Sequence, residues 1–257
     1  METDALKESL MRRGEGPDRR PLWSIPQERA AEMLVAAEVV EECTSVVEAD
    51  HSNLVAEILR GQGTFTEWDH YPKGDIYDGA THSQYYYHAH PSNLRANEHG
   101  HFHLFVRQKG MPESIKPAAL PSSVQRPLGN DALAHLVGIS MDSEGRPIRM
   151  FTVNRWVTGE TWYNSNDVIA LLDLFEISHA VPSWPTNRWV GAMVKLFQPQ
   201  IGWLQTERDE VVKLWQLDNP EAKQPVYEDH GLEITSVVEI SVQNQIKLVR
   251  KTAAVAD

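Results

Sequence analysis

The chain has 257 residues, a formal net charge of -12 at pH 7 and one cysteine. This length can bury a hydrophobic core, the single cysteine excludes an internal disulfide, and the negative charge disfavours binding to nucleic-acid phosphates. Because no apolar run is long enough for a transmembrane helix or typical of a secretory signal, we expect a soluble, cytoplasmic protein that binds neither nucleic acid nor membranes.

The first predicted elements are helices that follow a tail. Residues 1–22 are rich in Arg, Glu, Gly and Pro, which predicts a flexible segment. Residues 25–61 carry apolar side chains at helical spacing in two groups, and Gly61 is a typical residue for a helix end. We expect one domain over residues 23–257 that begins with these helices.

The middle of the chain, residues 64–160, has the composition and the two-residue alternation of a β-sheet. Residues 109–130 are rich in Pro and Ser and predict a long surface connection, either a lid over a site or a simple connector. The predicted strands cover residues 84–89, 100–106, 135–141 and 148–157, and the last two form a hairpin.

Helical spacing returns over residues 164–217, and a strand followed by a helix is predicted within residues 230–255. Pro199 is expected to interrupt the helical region between two helices at 186–196 and 206–217. This order of elements indicates an α+β fold. Its central sheet is mainly antiparallel, open or curled into a partial barrel, with N-terminal and C-terminal helices packed around it.

Six of the eleven histidines lie in one segment, His82 to Arg107. If its two strands pair antiparallel through residues 91–98, directly opposed residues point to the same side of the sheet. The opposed pairs are then His88 and His101, His90 and His99, and Tyr86 and His103. The apolar residues between these histidines face the other side, as a core surface, and they are Phe102, Leu104 and Val106.

Such a cluster of imidazoles predicts a site for a divalent transition metal. Neutral imidazole binds zinc and iron, which we favour, and also copper and nickel. Glu98 completes the site as a fourth ligand or acts as a general base on bound water. If imidazoles hold the ion, its occupancy should fall below about pH 6. The ligands are expected to be some three of five residues: His88, His90, His99, His101 and His103.

Three functions are compatible with this pattern. A metal-dependent enzyme acting on an unknown small molecule is favoured by the aromatic residues around the histidines and by the possible lid, although hydrolase, lyase and oxidoreductase are not distinguished. Exposed imidazoles without a cavity would instead indicate a metal-handling protein. Imidazoles that point apart would indicate a metal-free interaction surface.

A second group of candidate residues lies in the segment Thr152 to Tyr163. Arg155 and Trp156, with Tyr86 beside the histidines, are candidate contacts to a small anionic or aromatic ligand. The alternative is a tight turn whose tryptophans pack into the core. A looser set of possible ligands precedes the histidine cluster without the spacing of a known metal loop: Asp69, His70, Asp75, Asp78 and His82.

Overall fold

Six strands form one antiparallel sheet in the computed structural model, which describes residues 24–91, 95 and 97–254. The predicted tail at 1–22 lies outside these residues. Each strand pairs with its neighbour in the chain, in the order β1-β2-β3-β4-β5-β6, and the described sheet is not closed, because β1 and β6 are its two edge strands. The predicted α+β fold with an antiparallel sheet is therefore confirmed. The strands are β1 Tyr71–Tyr77, β2 Ser83–His88, β3 Gly100–Arg107, β4 Leu133–Met141, β5 Pro147–Val153 and β6 Ile234–Glu239.

Helices precede, interrupt and follow these strands. None of those described combines the length and the apolar character that crossing a bilayer requires. Side-chain caps fix several starts; the Asn53 side chain, for example, accepts hydrogen bonds from the backbone N–H groups of Val55 and Ala56 at 3.0 and 2.9 Å. The described α-helices are α1 Ala30–Ala49, α2 Leu54–Leu59, α3 Arg155–Thr158, α4 Ser165–Leu171, α5 Trp184–Leu196, α6 Gln198–Asp218 and α7 Val242–Ala253.

Three elements differ from the sequence prediction. Pro199 does not interrupt a helix but lies in the first turn of α6, where its missing N–H group costs no intrahelical hydrogen bond. The strand predicted to reach residue 157 ends at Val153, because Asn154 caps the short helix α3. Strand β1 was not predicted, since its Pro, Gly and Asp residues conceal the alternation typical of a strand.

One face of the sheet packs against the helices and forms the main core. The alternation in β3 places Phe102, Leu104 and Val106 on this face, as predicted, and all three are fully buried. Helices α1, α4, α5 and α7 contribute apolar side chains to the same cluster. Burial of each large side chain stabilises the fold by about 1.5–3 kcal/mol. The opposite face of the sheet carries the histidines.

A buried carboxylate, Asp78, connects the β1–β2 turn to residues 176–179. Its Oδ1 accepts hydrogen bonds from the backbone N–H groups of Ala80 and Thr81, and its Oδ2 accepts two from the backbone and hydroxyl of Ser178, at 2.7–3.2 Å. Burial raises the pKa of Asp78, but these hydrogen bonds outweigh that effect and lower the pKa to about 2. Asp78, a possible metal ligand by sequence, is thus occupied by four donors.

Replacement of Asp78 by Ala should lower the free energy of unfolding at pH 7 by about 3 kcal/mol, because several buried donors lose their acceptor. Urea unfolding at equilibrium measures this change. Asp131→Ala is the matched control, since the Asp131 side chain is 87% exposed, and its stability should equal that of the wild type. Equal stability of both variants would contradict the structural role of Asp78.

Candidate metal centre

The pairing of β2 with β3 brings three histidines together on the face opposite the helices. His88 lies opposite His101, and Tyr86 lies opposite His103. Both pairs are those predicted from the length of the connection between the strands. Antiparallel partners point to the same side of a sheet, so the side chains of these strands converge.

His88, His101 and His103, the histidine triad, are close enough to hold one metal ion. One ring nitrogen from each lies within 4.8 Å of the other two. The Nε2 atoms of His88 and His101 are 2.6 Å apart. Two nitrogens bound to one tetrahedral zinc ion lie about 3.3 Å apart, so a small side-chain adjustment brings these two atoms to ligand spacing.

Glu98 sets the orientation of His101. Its Oε1 lies 2.7 Å from Nδ1 of His101, and because a carboxylate only accepts hydrogen bonds, Nδ1 carries the proton. The lone pair of Nε2 then points towards His88. Arg95 connects Glu98, at 3.4 Å, to Glu233, at 2.9 Å. Glu98 thus contacts the ring nitrogen of His101 that is not directed at His88. Its role as a fourth ligand or base stays a prediction.

His103 is supported by a histidine of the next strand. Its Nδ1 lies 2.9 Å from Nε2 of His135, whose backbone N–H donates to Oε2 of Glu160 at 2.8 Å. Burial raises the pKa of Glu160 to about 7, although Arg208 and the hydrogen bond from His135 act against the rise. His135 and Glu160 were not among the predicted site residues.

Burial keeps the imidazoles of the triad in the neutral form that binds metals. His101 and His103 are 0% and 1% exposed and His88 is 9% exposed. Loss of hydration, with a smaller repulsion from His90, lowers the pKa of His88 to about 3. Burial also holds the pKa values of His101 and His103 well below the ordinary value. No proton has to leave these rings near neutral pH before an ion binds.

His90 lies beside the triad but is not part of it. Its ring centroid is 4.9 Å from that of His88 and 5.0 Å from that of His101. The ring stacks on Trp68 with a centroid separation of 4.3 Å, and Trp68 is 57% exposed. His90 therefore lies at the exposed margin of the site, where a modest movement would be needed for ligation.

His99 lies apart from the other candidate ligands. Its Nδ1 is 2.7 Å from the hydroxyl of Tyr87, and its ring stacks on Phe65. Strand β3 begins at Gly100, so His99 precedes the regular alternation that the predicted pairing with His90 assumed. The structure thus separates the five predicted histidines into the triad, one neighbour and one residue on the Tyr87 side.

The second predicted group has mainly structural contacts. Arg155 donates from Nε to Glu228 at 2.5 Å, and the Trp156 indole donates to the backbone carbonyl of Leu232 at 2.9 Å. Both side chains therefore attach α3 to residues 226–233. Tyr86 does reach the triad, since its ring centroid is 5.3 Å from that of His103 and 5.5 Å from that of His88.

Comparison with known proteins identifies a family. The sequence model described as "Domain of unknown function (DUF6969)" matches residues 34–240. This range contains all six strands and the complete histidine triad. Searches of curated proteins and of solved structures give no match.

Proposed function

This chain belongs to the family described as a domain of unknown function (DUF6969), and we propose that its histidine triad binds one divalent transition-metal ion. The observation that carries this proposal is the alignment of Glu98, His101 and His88. The carboxylate holds the proton on Nδ1 of His101, so the free lone pair of Nε2 is directed at Nε2 of His88, 2.6 Å away. Carboxylate-oriented histidine is the usual arrangement behind a protein metal ligand.

The donor set favours zinc or ferrous iron, with copper and nickel as further possibilities. Three nitrogen donors without a thiolate suit these ions. Because neutral imidazoles leave the charge of a divalent ion uncompensated, the remaining coordination position favours hydroxide or another small oxygen or nitrogen ligand. Charged groups beside His101 include the carboxylate of Glu98 and the guanidinium of Arg95, which lies between Glu98 and Glu233.

We further propose that the metal centre is catalytic. Three protein ligands leave a coordination position for water or substrate, which is the pattern of catalytic rather than structural zinc sites. Phe151 forms an apolar wall, with its ring centroid 5.2 Å from that of His101 and 5.7 Å from that of His103. Such a wall excludes water and strengthens electrostatic interactions with a bound substrate.

Burial argues against the two other functions. A metal-handling protein exchanges its ion with partners and needs accessible ligands, whereas His101 and His103 are buried. A metal-free interaction surface needs side chains that a partner can reach, whereas the imidazoles of the triad are buried. The identity of the ion would separate hydrolytic or lyase chemistry, typical of zinc, from oxidoreductase chemistry, typical of iron or copper.

Elemental analysis tests this proposal. Tag-free protein, purified without chelator or nickel resin, should contain about one transition-metal ion per chain, and a double variant with His88→Ala and His101→Ala should contain none. Circular dichroism of the variant checks that it folds. If the wild type contains no metal and binds none of zinc, iron, copper or nickel when they are added, the proposal is withdrawn.

A further inference from the structure

A partly exposed imidazole, His70, lies beside the histidine triad, against Tyr86 and His88. Its ring stacks on Tyr86 with a centroid separation of 3.6 Å and an interplanar angle of 8°, and it meets the ring of His88 edge-on at 5.7 Å. Tyr86 and His88 stand on the sheet, so His70 forms a second layer on its solvent side. The side chain of His70 is 44% exposed, which leaves it accessible to a small molecule.

A chain of hydrogen bonds across three strands fixes the orientation of His70. Nδ1 of His70 lies 3.1 Å from Oδ1 of Asp75. The other oxygen of Asp75 accepts a hydrogen bond from the Gln84 side chain at 2.7 Å, and Gln84 accepts one from Arg107 at 2.6 Å. Because the carboxylate only accepts, Nδ1 of His70 carries a proton, which leaves Nε2 as the ring nitrogen that can accept a hydrogen bond.

The backbone of β1 is irregular where it places Asp75. The pairing of β1 with β2 shifts between Tyr71 and Ile76, and Gly74 and Asp75 have φ angles of +86° and +59°. A bulge of this kind redirects a side chain, and here it directs Asp75 to His70. A non-glycine residue with positive φ is uncommon, and such strain concentrates at functional sites.

We propose that His70 accepts a hydrogen bond from an N–H or O–H group of a small molecule bound at the metal centre, with Asp75 as its positioning residue. The inference rests on the proposed metal site and specifies its substrate class, which is a molecule that carries a hydrogen-bond donor beyond the atom bound to the ion. His70 contacts the part of this molecule beyond the ion-bound atom, because the His70 ring meets the His88 ring edge-on and is not itself one of the three ligands.

A matched pair of probes tests this assignment in the full-length protein loaded with Co²⁺. Imidazole and 1-methylimidazole coordinate through the same kind of nitrogen, but only imidazole retains an N–H donor. We expect the wild type to bind imidazole about fivefold more tightly than 1-methylimidazole, as measured by the visible absorption of Co²⁺, since one hydrogen bond to a partly exposed acceptor contributes roughly this factor.

Variants identify the acceptor of this hydrogen bond. His70→Phe retains a ring that stacks on Tyr86 but lacks Nε2, so the preference should fall to near unity. Asp75→Ala should also reduce the preference, because the His70 ring loses its orientation. His230→Phe is the control, since His230 is another exposed imidazole that stacks on an aromatic ring, that of Trp156 at 4.2 Å, and the preference should persist.

The outcomes separate this inference from the metal site itself. If Co²⁺ binds but the wild type does not distinguish the probes, or if His70→Phe and Asp75→Ala retain the full preference, the role of His70 is overturned and the metal centre stands. If the wild type fails to bind Co²⁺, both proposals are overturned. If His70→Phe fails to bind Co²⁺ or to fold, the probe preference of Asp75→Ala is the deciding measurement: a reduced preference supports the role of His70, and an unchanged preference overturns it.

Discussion

Replacement of His101 by Ala is expected to abolish stoichiometric metal binding. His101 is the central member of the triad, because its Nε2 lies 2.6 Å from that of His88 and its ring centroid lies 4.8 Å from that of His103. It is also fully buried, so an exposed side chain of the described residues would have to move into the interior to replace it. Two remaining imidazoles make a weak site, and the loss of affinity should exceed the 10- to 100-fold typical of changes outside the ligand set.

Two further variants make this prediction specific. Glu98→Gln should reduce metal affinity by about 10- to 100-fold, because the amide no longer supports the proton on Nδ1 of His101 as a carboxylate does. His99→Ala should bind metal as the wild type does, since His99 contacts Tyr87 and Phe65 instead of the triad. Competition with a chelating dye measures all three affinities. A loss in His99→Ala as large as that in His101→Ala would refute the assigned ligand set.

Acidification from pH 7.5 to pH 5.5 should lower the free energy of unfolding of the metal-free protein by about 3–4 kcal/mol. Burial lowers the pKa values of His88 and His135 to about 3 and those of His101 and His103 well below the ordinary value. In the unfolded chain these groups take up protons near pH 6.5, whereas in the folded protein they stay neutral. Their contribution is complete above pH 6.5 and is lost as the pH falls towards 3.

Glu160 opposes this effect in part. Burial raises its pKa to about 7, so between about pH 4.5 and 7 the folded protein retains a proton that the unfolded chain releases. This stabilises the fold at the lower pH by about 2 kcal/mol, against the roughly 5 kcal/mol that four histidines lose. The value of 3–4 kcal/mol is the difference.

Urea unfolding of chelator-treated protein at the two pH values measures this change. His135→Leu should reduce the drop by about 1 kcal/mol, because one titrating group is removed. His51→Asn should leave it unchanged, since His51 is exposed and Asn tolerates its positive φ. A drop that is the same in His135→Leu as in the wild type would contradict the explanation. If the explanation holds, the predicted release of metal below about pH 6 accompanies unfolding of the protein, because the intact site is not protonated at that pH.

The sequence predicted which residues of β3 face the core and which face away from it, but it did not predict every residue that lies beside the triad. Alternation predicted that His101 and His103 face away from Phe102, and the length of the connection predicted the opposition of His88 and His101. The position of His135 beside the triad depends on a register shift between Leu104 and Phe105, which places His135 opposite Phe105. Without this bulge, His135 would oppose Val106 and point into the core.

Two other residues could not be placed because their positions depend on local backbone conformation. Glu98 reaches Nδ1 of His101 only through the course of the connection between β2 and β3. His70 precedes β1, a strand whose alternation is concealed by Gly74 and Asp75. Periodicity describes regular segments, whereas these contacts depend on bulges and loops, for which a single sequence gives little signal.

The three histidines of the triad are close together in the sequence, and this proximity affects metal binding by the denatured state. All three histidines lie between residues 88 and 103, so an unfolded chain keeps them at a high effective concentration and retains affinity for the ion. Metal binding would then stabilise the native state by less than its native affinity alone implies, because both states bind. The same local affinity would close the connection between β2 and β3 early and favour formation of this hairpin before the more distant strands are added.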